Sequence, residues 1–227
     1  MLRAVIFDFN GIIVDDEPIH FELFKRVLGE EGITLTEEAY YARYLGFDDR
    51  GAFTAAYGEH GWSLRQPKLD ELIRRKAAYY QEDIKTKMRV FPGVEKLISN
   101  LARELPLAIA SGALRNEIQM ILSTIGLSNE FRTIVSAEDV TRGKPEPEIF
   151  LKALAQLNTC LDGEPTINAT ECLVIEDSKE GILGARRAGM KCLAVTNSHP
   201  PELLAEADSI LESLDGVSLP HLAAMWP

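Results

Sequence analysis

Several residues able to do chemistry stand directly after short apolar runs. Asp8 closes the run at residues 2–7 and precedes Phe9-Asn10-Gly11, Ser111-Gly112 follow Leu107–Ala110, and Glu176-Asp177 follow the run at residues 172–175. A lone aspartate at a strand end can be a nucleophile, a metal ligand or a polar terminus. Three converging carboxylates (Asp8, Glu176, Asp177) would repel one another and raise their own pKa values. A hard divalent cation relieves that repulsion, and oxygen donors favour Mg²⁺. The same ion would neutralise a phosphate and let an anionic carboxylate attack it. Ser111, Gly112 and the amides of a helix starting near Leu114 or Arg115 could cradle that phosphate. The same letters also read as a serine N-cap with a turn glycine. Lys144, in Arg142-Gly143-Lys144-Pro145, can serve as a point charge against phosphate and carboxylates, with the proline fixing the chain as it enters a helix from Glu146.

These residues need elements that deliver them to one place. Apolar runs at 2–7, 107–110, 133–136, 172–175 and 192–195 alternate with helical spacing at 94–101, 118–125, 148–157 and 182–188. That alternation predicts an α/β fold, a parallel sheet covered on both faces. In such sheets ligands bind beyond the carboxyl ends of the strands, where Asp8, Ser111 and Glu176-Asp177 fall. From about 16 to 87 no strand pattern occurs, only helical segments at 19–28, 37–44, 51–57 and 69–84. The organisation read from this is a core of 1–15 and 88–227 with a helical insertion at 16–87. Residues 219–227 read as a last surface segment.

The 227 residues carry 24 basic and 35 acidic side chains, a net charge of −11, which repels a polyanion and argues against nucleic acid as a partner. No apolar run is long enough to span a bilayer and the start is not a signal peptide, so no membrane association and a cytoplasmic location are expected. Three widely spaced cysteines suggest neither a disulfide framework nor a metal knuckle. A monomer is the neutral expectation.

The ordered set Asp8-Phe9-Asn10-Gly11, Ser111-Gly112, Gly143-Lys144-Pro145 and Ile175-Glu176-Asp177-Ser178 resembles the haloacid dehalogenase superfamily over essentially the whole chain. The helical insertion, Val14-Asp15 with Glu17, and Phe91-Pro92-Gly93-Val94 resemble its branch of β-phosphoglucomutases and sugar-phosphate phosphatases. The resemblance implies a Rossmann-like core with an all-helical cap, a phosphoryl group carried on Asp8, and Ser111 and Lys144 holding it. It implies Mg²⁺ on Asp8, the carbonyl of Asn10, and Glu176 or Asp177. Substrate contacts would come from Gly112 and from His20, Gly46, Arg50 and Lys76 of the cap, closing over the site. Plainer readings of the cap residues are a solvated face for Arg74-Arg75-Lys76 and a packed surface histidine for His20. The motif departs from the family at Asn10, where the second aspartate should protonate the leaving oxygen and activate water, and at Ile12. Asp15, Asp16, Glu17 and His20 are nearby candidates to replace that proton transfer. The expectation is a Mg²⁺-dependent phosphatase of small phosphorylated metabolites. A phosphomutase, or a protein that binds a phosphorylated ligand with little turnover, are the alternatives.

Overall fold

Strand β1 (Ala4–Phe7) consists of four fully buried apolar residues, a composition that suits a strand flanked on both sides and covered on both faces. It lies inside a six-stranded parallel sheet with β4 (Leu107–Ala110), β5 (Thr133–Val135), β6 (Cys172–Glu176), β7 (Lys191–Val195) and β8 (Ser209–Leu211), in the order β5-β4-β1-β6-β7-β8. The computed structural model describes every residue except 45, 46, 48, 162–164 and 227. Phe7 pairs with Ile109 on one side and Ile175 on the other. The next residues, Asp8, Ala110 and Glu176, therefore emerge at one level, and the Asp8 amide donates to the Ile175 carbonyl at 2.9 Å.

Helices α5 (Val94–Leu101), α6 (Arg115–Thr124), α7 (Glu148–Cys160) and α8 (Lys179–Arg187) belong to the same unit. One core joins Ile149, Phe150, Ala153 and Leu157 of α7 and Ile182 and Ala185 of α8 to Ala4, Ile6, Ala108, Val174 and Ala194 of the sheet. The small sheet residues let the helices approach closely. Two short strands, β2 (Val14–Asp15) and β3 (Arg89–Val90), pair antiparallel where the chain leaves and re-enters this unit. The alternation of the sequence missed them, and it missed β8; two or three half-buried residues carry too little pattern. Helix α9 (Leu219–Ala223) is not wholly a surface piece, since Leu222 is buried.

Contacts divide the chain into Met1–Asp15 with Arg89–Pro227, and Asp16–Met88. The second unit contains α1 (Glu17–Glu30), α2 (Glu37–Arg43), α3 (Asp49–Glu59) and α4 (Gln66–Lys87). Its interior is aromatic, with Phe24 edge-on to Phe53 at 5.1 Å and close to Tyr40 at 5.9 Å. Lys76 is also buried there, only 2% exposed, which removes the reading of it as part of a solvated face. Its ammonium donates to Asp49 Oδ1 at 2.5 Å and to His20 Nδ1 at 2.8 Å, and lies 4.2 Å from the Phe24 ring centre. A buried ammonium survives only with such partners. Among the described residues no helix is long and apolar enough to cross a membrane.

Asp49→Ala would strand the Lys76 charge. Because Asp49 is partly solvated, a loss of about 1–3 kcal/mol in urea unfolding is expected. Adding Lys76→Met should recover part of it, since no charge is then left buried. Additive losses in the double variant would contradict the pairing.

Candidate active site

The site is organised by Lys144. Its Nζ donates to Asp8 Oδ1 at 2.5 Å and to Glu176 Oε1 at 2.6 Å, bridging two strand ends. The loop that brings it is pinned: the amides of Thr141 and Arg142 donate to the Glu148 carboxylate at the start of α7, and the Glu146 amide to the Gly143 carbonyl. The helix after Pro145 starts at Glu148 rather than at Glu146, and the Lys144-Pro145 peptide is cis. Carboxylate oxygens of Asp8, Glu176 and Asp177, all buried, lie within 4.8 Å of one another.

Burial raises the Asp8 carboxyl to about 6, against the opposing pull of Lys144 and with help from the Glu176 charge. Asp177 is pushed well above the usual range by burial, then by the charges of Glu176 and Asp8. Glu176 behaves oppositely: burial pushes it up, but Lys144 and bonds from Ser178 outweigh that and hold it low. Burial would lower Lys144, and its two carboxylate partners more than reverse this. Glu176 therefore keeps its charge as the fixed partner of Lys144. Its Oε2 accepts from the amides of Asp177 and Ser178 and from the Ser178 hydroxyl.

Two glycines make this packing feasible. A Cβ on Gly11, whose φ is +77°, would stand 1.9 Å from Asp177 Oδ2. A Cβ on Gly181, in the first turn of α8, would stand 1.7 Å from Glu176 Oε1. The turn after Asp8 is closed by the amides of Ile13 and Val14 donating to the Phe9 carbonyl and by Gly11 donating to Val14. That turn places Asn10 half-buried just past β1, while Ile12 is buried with Ile13 and Val14, which accounts for an apolar residue there.

Ser111 is 1% exposed at the end of β4, and its Oγ accepts from the Ala113 amide at 3.1 Å. It is not a helix cap; α6 starts at Arg115 with Leu114 before it. The expectation of free amides at this helix start is corrected: Leu114 donates to Glu117 and Arg115 to Glu138. Gly112, exposed beside Ser111, remains a candidate contact.

The insertion residues fall in the other unit. His20 Nδ1 accepts from Lys76, so its Nε2–H donates to Asp16 at 3.2 Å, and the ring stacks on Tyr80. Arg50 lies in the first turn of α3, not in a loop, and donates to Gln66 at 3.1 Å. Gly46 lies outside the described residues. Among the candidates for the missing proton transfer, Asp16 already accepts from His20 and Tyr80, and Glu17 from Tyr40. Asn197, Ser198 and His199, just past β7, contact the core site and were not singled out from sequence. The strand-end rule, applied to the run at 192–195 as to the others, would have found them.

A parallel sheet that gathers carboxylates and a lysine beyond its strand ends, in a chain interrupted by a helical insertion, defines a Rossmann-like α/β protein with an inserted helical unit. The model of the haloacid dehalogenase-like hydrolases matches residues 5–195. The putative phosphatase YhcW of Bacillus subtilis (strain 168) is 34% identical over 224 residues, covering 96% of this chain and 95% of its own. Validoxylamine A 7'-phosphate phosphatase of Streptomyces hygroscopicus subsp. limoneus is 30% identical over 223 residues, 98% of this chain and 99% of its own. The solved structure of a putative β-phosphoglucomutase from Thermotoga maritima superposes with a TM-score of 0.76 at 26% identity, covering 94% and 95% of the two chains. The chain belongs to the haloacid dehalogenase-like hydrolase family. It is an enzyme, a hydrolase of the phosphoric-monoester class.

Gly181→Ala would drive Glu176 off Lys144. A displacement of this size is expected to lower kcat on an aryl phosphate by about 10²-fold while the circular dichroism spectrum stays that of the folded chain. Unchanged kcat would show that the Glu176–Lys144 contact does not matter to turnover.

Proposed function

We propose that the protein is a Mg²⁺-dependent phosphatase of small phosphorylated metabolites that carries the phosphoryl group on Asp8. What supports this most is the charge balance around Lys144. One ammonium among three buried carboxylates would leave two negative charges uncompensated were all three ionised, and the raised Asp8 and Asp177 carboxyls register that shortage of positive charge. A divalent cation brings the sum to zero, and a donor set made of oxygen fits Mg²⁺. Asp8, Asp177 and the Asn10 carbonyl would hold it, with Glu176 closing the cluster. When bound, Mg²⁺ would offset the charge of the phosphate as an anionic carboxylate approaches.

Asp8 Oδ attacks phosphorus, forming an Asp8–phosphorus bond as the bond to the leaving oxygen breaks. Ser111 Oγ, the Gly112 amide and Lys144 hold the phosphoryl oxygens. Water then attacks phosphorus, the Asp8 oxygen–phosphorus bond breaks to free the carboxylate, and the water proton passes to the departing phosphate or to solvent. Asn10 carries an amide that neither protonates the leaving oxygen nor deprotonates the water, so both steps proceed without the general acid–base group of the family. A phosphomutase needs that group in both directions, and Asn10 therefore weighs more against a mutase than against a hydrolase. Selection of the substrate is assigned, within the same reading, to the helical unit through His20, Gly46, Arg50 and Lys76.

The test is phosphate release from an aryl phosphate and a sugar-phosphate panel, with Mg²⁺ or with EDTA. Mg²⁺-dependent release is expected, lost in Asp8→Asn and raised roughly 10²–10⁴-fold in Asn10→Asp. Equal release by Asp8→Asn would sink the nucleophile assignment.

Proton linkage provides a second test. Without metal, Asp8 titrates at about 6 and Asp177 is also raised, so the fold favours their proton-bound forms. That contribution is complete below the ordinary aspartate range and is lost as pH rises through about 6. Mg²⁺ competes with the same protons. The rise in melting temperature on adding Mg²⁺ should be small at about pH 5 and larger above about pH 7. A rise independent of pH would contradict metal binding at these carboxylates.

A further inference from the structure

The loop after β7 sends three consecutive side chains to the core site. The Thr196 amide still pairs with the Leu211 carbonyl at 3.0 Å, so the loop departs from a fixed strand end. Asn197 Nδ2 donates to the Gly11 carbonyl at 2.7 Å, across 186 residues of sequence. The Ser198 hydroxyl donates to Asp177 Oδ2. His199 Nδ1 donates to the Asp177 main-chain carbonyl at 3.2 Å.

These contacts converge on two groups. One is the turn that follows Asp8: the Gly11 amide is held by the Val14 carbonyl and its own carbonyl by Asn197, so the peptide planes on both sides of Gly11 are fixed. The Asn10 carbonyl belongs to the first of those planes and is aimed by it. The other group is Asp177, held at its backbone by His199 and at one carboxylate oxygen by Ser198. The missing Cβ of Gly11 leaves the space in which that carboxylate and its partner meet, since a Cβ there would also stand 2.9 Å from Ser198 Oγ. The same carboxylate offers an oxygen within 4.8 Å of those of Asp8 and Glu176, so the loop holds a member of that cluster.

We propose that Asn197, Ser198 and His199 are positioning residues, a clamp that presets Asp177 and the Asn10 carbonyl for a divalent cation. The inference rests on the Mg²⁺ reading above. Groups that orient metal ligands commonly change affinity by about 10–100-fold when removed. A loop that served only to close the fold would alter melting in EDTA and leave metal affinity alone.

The experiment is calorimetric titration of Mg²⁺ into metal-free wild type, Ser198→Ala, Ser198→Thr and Asn197→Ala, with melting curves of each in EDTA. The expected result is a Kd raised about 10–100-fold in Ser198→Ala and in Asn197→Ala, with melting in EDTA little changed. Ser198→Thr, which keeps the hydroxyl, should bind within a few-fold of wild type. If wild type binds Mg²⁺ and both alanine variants bind it equally well, the clamp is refuted while the metal reading stands. The clamp is likewise refuted if Ser198→Thr binds as weakly as Ser198→Ala. If wild type itself binds no Mg²⁺, the metal reading fails first and the clamp with it. Should one alanine variant not fold, the other still decides the matter.

Discussion

Three carboxylates packed out of water around one lysine are the constraint on which the rest of the site depends. Like charges at this spacing cannot all ionise in a buried place without help. Lys144 compensates Glu176 most completely, holding it low, while Asp8 and Asp177 remain raised. The division of labour is thereby set. Glu176, with both oxygens engaged, anchors the lysine. Asp8 and Asp177 keep unmet demand for positive charge, and they lie beside the half-buried turn of Asn10 and Gly11.

Holding such a cluster together takes stiffness, and the parallel sheet supplies it. Central strands paired on both sides fix the level at which Asp8 and Glu176 leave the sheet. Glycines at 11 and 181 let carboxylates sit where any side chain would collide. Short loops then add donors in fixed directions: Ser178 to Glu176 and Ser198 to Asp177, while Glu148 pins the amides of the Lys144 loop. Oriented dipoles that are already in place cost no reorganisation when charge moves during the reaction.

Much of this was legible in the sequence because buried parallel strands announce themselves. The runs ending at Phe7, Ala110 and Ile175 have no polar residue at their carboxyl ends to blur them, and the residues just past each run are where a ligand site belongs. The α/β class came from the alternation of such runs with helical spacing, and Asp8, Ser111 and Glu176-Asp177 from the strand-end rule. What stayed hidden depends on tertiary contact. Lys76 carries a charge and reads as solvated, yet Asp49, His20 and the Phe24 ring enclose it. The amides at the start of α6 look free until Glu138, 23 residues on, takes that of Arg115. Asn197-Ser198-His199-Pro200 has the composition of any turn, and only the fold brings it to Gly11 and Asp177.

Asn10 separates the two halves of the reaction. In the proposed reaction an aryl phosphate still passes its phosphoryl group to Asp8, because phenolate leaves without a proton, whereas the attack of water lacks its base. On this account the covalent phosphoenzyme accumulates during turnover. The most direct measurement is to mix the protein with a ³²P-labelled aryl phosphate and Mg²⁺, quench in acid on a millisecond-to-second scale, and map the label by peptide. The account predicts label approaching one phosphate per chain on the peptide containing Asp8. Turnover with no covalent phosphate, or with label on any other residue, would contradict it.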